Sequence, residues 1–140
     1  MIKLSNIPRF NLSLALLLVA MLLTACGQAP KTDEESVALI QQYYQAQQSG
    51  ELGAAAAMYP AEARMQWHAF LEQGVSDRGA VKQYVIESIE PNTVYSGKFY
   101  LATVRVTTGN GRESIEMVTA LRKLSEDQTY IVSHKIKMLR

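Results

Sequence analysis

One cysteine, two histidines and thirteen carboxylates are the groups from which this 140-residue chain would have to assemble a reactive centre. With two histidines and no thiol to spare, a zinc site would need carboxylates at ligand spacing, and none is evident. No phosphate-cradling glycine loop, nucleophile elbow or pair of carboxylates at a useful separation is present either. His134 alone invites a chemical role as acid, base or ligand anchor. The plainer reading, a core histidine satisfied by the Thr119 hydroxyl, is the one adopted, because buried polar groups usually pair. His68, beside Trp67 on a helix, is placed at the surface or rim. Asp77, in Ser76-Asp77-Arg78-Gly79, reads as a turn residue. No catalytic residue, metal or cofactor is expected.

Cys26 carries a more specific signal. It follows Lys3 and Arg9, an apolar run from Leu12 to Leu23, and the small residues of Leu23-Thr24-Ala25. Twelve apolar residues at about 1.5 Å rise span about 18 Å, well short of a hydrocarbon core of roughly 30 Å, so a permanent span is the poorer reading. The pattern resembles a bacterial lipobox. The resemblance implies removal of residues 1–25, a diacylglyceryl thioether on the Cys26 sulfur and an acyl chain such as palmitate on its amine. Two or three chains anchor a protein firmly where one holds only marginally. Gly27 stands where an aspartate would favour inner-membrane retention. The expected location is therefore the periplasmic face of the outer membrane.

Cleavage would remove Lys3 and Arg9 from the 14 basic side chains, leaving 12 against 13 acidic ones and a formal charge of −1. That balance offers no footprint for nucleic acid. The remaining 115 residues suit one domain with a modest core. The expected organisation is a signal peptide over 1–25, a lipidated cysteine and tether over 26–32, and a single domain over 33–140.

The elements that would position these groups follow from periodicity. Thr32-Asp33-Glu34-Glu35 fits a capping box, opening a helix over Asp33 to Gln48 whose stripe includes Val37, Ile40 and Tyr44 and which stops at Ser49-Gly50. A short helix from Ala54 to Tyr59 follows. Pro60 suits the first position of a third helix, with Ala63, Trp67, Phe70 and Leu71 on one face up to Gly74. From Gly79 the period becomes alternating. Four strands are predicted near Ala80–Ile89, Thr93–Thr107, Arg112–Leu124 and Thr129–Met138.

Turn chemistry sets an expected register. A type I′ turn at Asn110-Gly111 pairs Val104 with Met117 and Ala102 with Thr119. A turn at Ser125–Gln128 pairs Leu124 with Thr129 and Thr119 with His134. Together they place Arg105, Glu116 and Lys137 in one exposed row. Gly97, inside a long strand, suggests a bulge. Any ligand pocket would then draw on Tyr44, Trp67, Tyr100, Thr119 and His134, although aromatics at such spacing are mostly core.

Helices before strands, with Tyr43-Tyr44-Gln45-Ala46, the run Ser49-Gly50-Glu51 into Ala54–Ala57, and Asp127–Val132 near the end, resemble the nuclear transport factor 2-like superfamily, above all its small bacterial lipoproteins. The resemblance covers about residues 34–138. It implies an α+β cone: a curved four-stranded antiparallel sheet wrapping a long helix, a pocket at the open end, and often a homodimer through the sheets. Enzymes of that superfamily place a carboxylate opposite a tyrosine or second acid in an apolar pocket. Asp77 finds no such partner in the sequence. The expectation is a non-enzymatic, membrane-anchored binding module for a small apolar ligand or a protein. An immunity-type lipoprotein against a periplasmic toxin and a small isomerase- or cyclase-like enzyme are the alternatives.

Overall fold

The computed structural model describes residues 31–94, 97–123 and 125–140. Cys26 and the segment around it lie outside the described residues. The chain divides between Lys31 and Thr32, and Thr32–Arg140 forms one compact unit. Three helices, α1 (Lys31–Gln48), α2 (Leu52–Ala56) and α3 (Arg64–Arg78), with a 3-10 turn at Ala61–Ala63, precede four strands. The strands are β1 (Val81–Val94), β2 (Gly97–Thr108), β3 (Glu113–Lys123) and β4 (Gln128–Met138), forming one antiparallel meander in the order β1-β2-β3-β4. The layout is α+β, with the helices against one face of the sheet.

α1 stops where glycine allows it. Gly50 adopts φ 76°, and Glu51 N–H closes onto Ala46 O at 2.8 Å. Thr32 lies within α1 rather than capping it, and the Glu35 carboxylate pairs with Arg122 of β3 instead of reaching back along the helix. The second helix is earlier and shorter than expected, and Pro60 caps the 3-10 turn. α3 runs through Gly74 to Arg78, and Gly79, at φ 92°, ends it. A glycine inside a helix forgoes only about 1 kcal/mol relative to alanine. The expected loop Ser76–Gly79 is thus a last helical turn, and that turn aims Arg78 at the sheet.

Pro91 and Asn92, expected in a turn, lie inside β1, where Pro91 pairs with Tyr100. β1 is an edge strand, so a residue without N–H can sit there. The irregularities expected near Gly97 occur instead between Val81 and Gln83 and between Ile86 and Ser88, while Gly97 opens β2 opposite Val94.

The expected register is off by one residue. Gly111 takes φ 77° whereas Asn110 stays out of the positive region. Thr108 therefore closes a three-residue loop, its N–H donating to Arg112 O at 2.9 Å and its carbonyl accepting from Gly111 N at 3.0 Å. The added residue pairs Val104 with Glu116 and Arg105 with Ile115. A one-residue slip exchanges the faces of a strand. Val104 is accordingly fully buried, Met117 is 42% exposed on the other face, and Glu116 points into the core. The exposed row of Arg105, Glu116 and Lys137 does not form; Arg105 Nε donates to Glu87 Oε1 at 2.7 Å. Between β3 and β4 pairing closes at Lys123 and Gln128, and a bulge after Thr119 leaves Val132 unpaired. That bulge lets Ile131 and His134, three apart, share the inner face. His134 is opposite Val118, not Thr119.

The core is made by α1 against the inner face of the sheet. Ile40, Tyr43 and Tyr44 meet Ala102, Val104, Val118, Ala120 and Ile131, all fully buried. Each large side chain so buried contributes about 1.5–3 kcal/mol. Gln48 Nε2 donates to Lys82 O at 2.7 Å and Ile131 N to Met58 O at 2.9 Å, tying the helical layer to β1 and β4.

Candidate functional site

Beneath α1 and α3 the inner face carries polar groups where strand alternation alone would place apolar ones. Glu116, Ser114 and His134 project from β3 and β4, Tyr43 and Tyr44 from α1, Tyr59 from the segment after α2, and Arg78 from the end of α3; all are buried. His134 Nε2 lies 2.6 Å from Glu116 Oε2, which also accepts from Tyr44 OH at 2.7 Å. His134 Nδ1 is 2.9 Å from Tyr43 OH, and Tyr43 OH is 2.7 Å from Tyr59 OH. Arg78 Nη1 pairs with Glu116 Oε1 and donates to Ser114 Oγ at 3.1 Å. Ser114 Oγ donates to the same carboxylate oxygen at 2.9 Å.

These distances fix the protons by elimination. Burial, with the Arg78 charge adding to it, lowers the His134 pKa from 6.5 to about 3, so the imidazole is neutral. Its one N–H is at Nε2, facing Glu116, and Nδ1 accepts from Tyr43 OH. Tyr43 OH then accepts from Tyr59 OH, which completes the chain Tyr59→Tyr43→His134→Glu116. Burial raises the pKa of all three tyrosines, so each hydroxyl keeps its proton. Burial lowers that of Arg78.

The histidine–carboxylate pair has the parts of an acid–base dyad, but both ring nitrogens are committed within the core. The Phe70 ring, 5.3 Å from that of His134, also lines a cleft of about 260 Å³ that His134 itself does not line. Phe70, Gly74, Arg78, Arg112, Ile136 and Met138 wall this cleft, which opens beside α3 and the β3–β4 edge. Arg78 therefore belongs to both network and cleft. Its Nε is buried and has no hydrogen-bond partner.

Tyr44 and His134 meet within the network, while Tyr100 is buried in the apolar core. Trp67 is partly buried and stacks on Tyr59, ring centres 4.5 Å apart. Thr119 is on the outer side of the sheet, so the partner it was expected to give His134 is supplied by Glu116 and Tyr43. His68 is at the surface as expected, 3.6 Å from Glu72. Asp77 is exposed on the last turn of α3 and accepts from Gln73 Nε2 at 2.8 Å.

Sequence reasoning missed Glu116 and Arg78. The slipped register put the first in solvent, and the expected stop at Gly74 put the second in a loop. The tyrosines of the helical region were a usable signal, since a buried tyrosine hydroxyl usually finds a partner. No group of three or more histidine, cysteine, aspartate or glutamate side chains among the described residues is placed to hold a metal ion. No helix among the described residues is long and apolar enough to cross a membrane. No protein-family profile matches the chain, and no curated protein matches it.

Proposed function

We propose that this chain is a lipid-anchored binding module of the bacterial cell envelope, tethered through acyl chains on Cys26 and facing the periplasm from the outer membrane. In this reading the domain is a cone of the nuclear transport factor 2-like kind, a layout that helices followed by a four-strand meander support. Binding is assigned to the cleft beside α3, and the observation that carries the assignment is Arg78. A buried donor without a partner forgoes about 1–3 kcal/mol, a penalty that a ligand in the adjoining cleft removes.

Replacing Gly74 by leucine tests the assignment. A Cβ at this position meets Arg78 Nε at 3.7 Å and Ile136 Cδ1 at 3.9 Å, ordinary contacts, so the longer side chain enters the cleft with little disturbance of the helix. Fragments that shift Ile136 and Met138 methyl resonances in the parent should leave them unmoved in Gly74→Leu. Equal shifts in both would remove the cleft from the proposal.

A second reading, a small isomerase- or cyclase-like enzyme, has the Glu116–His134 pair in its favour. Catalysis through it requires Phe70 to swing aside, because neither His134 nor Glu116 is among the residues lining the cleft. A Phe70→Ala variant that gained turnover on a small apolar carbonyl compound would favour that reading.

A further inference from the structure

Resting on the cleft as the binding site, we infer that its ligand is a small organic carboxylate, its head held side-on by Arg78 and its apolar body lying against Phe70, Ile136 and Met138. The guanidinium geometry selects the head group. Both hydrogen bonds from Arg78 to β3 come from Nη1. The Nε–H points along the other edge of the planar group, parallel to an Nη2–H, and two parallel N–H bonds match the two oxygens of a carboxylate. Nε is the atom left unpartnered; it is covered beside Gly74, a residue of the cleft wall, and a carboxylate seated in the cleft reaches it as the Arg78 side chain shifts outward.

Charge and size narrow the class further. Glu116 already balances Arg78, which makes the remaining attraction to a second anion modest. Arg112 at the mouth adds a positive group; its Nη1 donates to Asp77 O at 3.4 Å. Asp77 also lines the cleft, and its negative charge opposes highly charged ligands such as phosphate esters and favours a single negative charge. A 150 Å³ apolar cavity holds benzene. By proportion, a cleft of about 260 Å³ holds a body of roughly ten heavy atoms. The apolar wall makes that body hydrocarbon rather than sugar.

Three isosteric probes of ten heavy atoms, 4-methylbenzoate, 4-methylbenzamide and 4-methylbenzamidine, separate head-group charge from shape. Each is titrated against the purified full-length chain in lipid nanodiscs by ligand-observed NMR, with Gly74→Leu in identical nanodiscs correcting for partition into lipid. The expected order is benzoate first, the amide about 10- to 100-fold weaker and the amidine without detectable binding, as for loss of a charge-assisted pair. Arg112→Glu, an exposed change at the mouth, should weaken the benzoate more than the amide. Amide binding within threefold of benzoate, with both abolished by Gly74→Leu, would overturn the carboxylate and leave the cleft standing. Failure of all three probes on the parent chain would overturn the carboxylate and the cleft together.

Discussion

Glu116 and His134 are diagonal neighbours on adjacent strands, two residues out of direct opposition and so on the same face, and their side chains touch at 2.6 Å with no exposed surface on either. Cross-strand diagonal pairs on one face are within reach of long side chains. Here the reach joins a carboxylate already paired with Arg78 to an imidazole that burial keeps neutral. The pair is therefore a hydrogen bond from Nε2–H to a carboxylate rather than an ion pair.

Stability should fall as the solution is acidified through the range in which free histidine titrates. Folding lowers the His134 pKa from 6.5 to about 3, so between these values the unfolded chain binds the extra proton. The contribution is fully present above pH 6.5 and is lost as pH falls toward 3, with a limiting slope of about 1.4 kcal/mol per pH unit. His134→Gln, whose amide can still donate to Glu116 and accept from Tyr43, should lack this component. Urea unfolding of both proteins from pH 7.5 to 4 measures it; parallel curves would show that His134 is not titrating.

Removing the carboxylate should be far more damaging than changing its exposed neighbour. Glu116→Ala leaves the Arg78 guanidinium buried without its counter-charge and should lower stability by about 3–5 kcal/mol. Met117→Ala, at a side chain 42% exposed on the opposite face, should change it by less than about 1 kcal/mol. Denaturant midpoints would decide, and the reverse order would restore the register expected from sequence.

The tyrosine chain predicts its own gradient. Tyr59→Phe removes a terminal donor and leaves one lone pair of Tyr43 unmatched, about 1 kcal/mol. Tyr43→Phe deprives both His134 Nδ1 and Tyr59 OH of their partner, so its effect should be about twice as large. Equal destabilisation by the two variants would contradict the proton order Tyr59→Tyr43→His134.

Anchoring is tested separately from the domain. Cys26 is the chain's only thiol, so Cys26→Ser should abolish palmitate incorporation and leave uncleaved precursor in the inner membrane. A mature Cys26→Ser protein fractionating with the outer membrane would defeat the lipoprotein proposal.

The helices and the number of strands were legible because their signals are local. Gly50 ends α1 at positive φ where the sequence placed the stop, and the alternating stretch from Gly79 yields four strands, whereas α3 ends at Gly79 rather than at the expected Gly74. The face of β3 was not. Ile115, Met117 and Leu121 read as a core set, while Ser114 and Glu116 share the true inner alternation with Val118 and Ala120. One loop residue decides between these sets, and Gly109-Asn110-Gly111 is compatible with either loop length. His134 was legible as an inward residue, but not its partners, since Glu116, Arg78 and Tyr43 converge on it only in three dimensions.

With apolar side chains on both alternations of β3, a hairpin slipped by one step is a decoy whose hydrophobic gain rivals that of the native state. In the decoy, Glu116 enters water and Arg78, His134 and the tyrosines stay in the interior without it. The network thus widens the energy gap to the nearest competing fold while contributing little to the depth of the native well. A variant with Tyr43, Tyr44, Tyr59, Arg78, Glu116 and His134 all made apolar should stay compact and resist urea, yet give broadened or doubled amide resonances along β3. A single sharp set would mean that the turn alone suppresses the decoy.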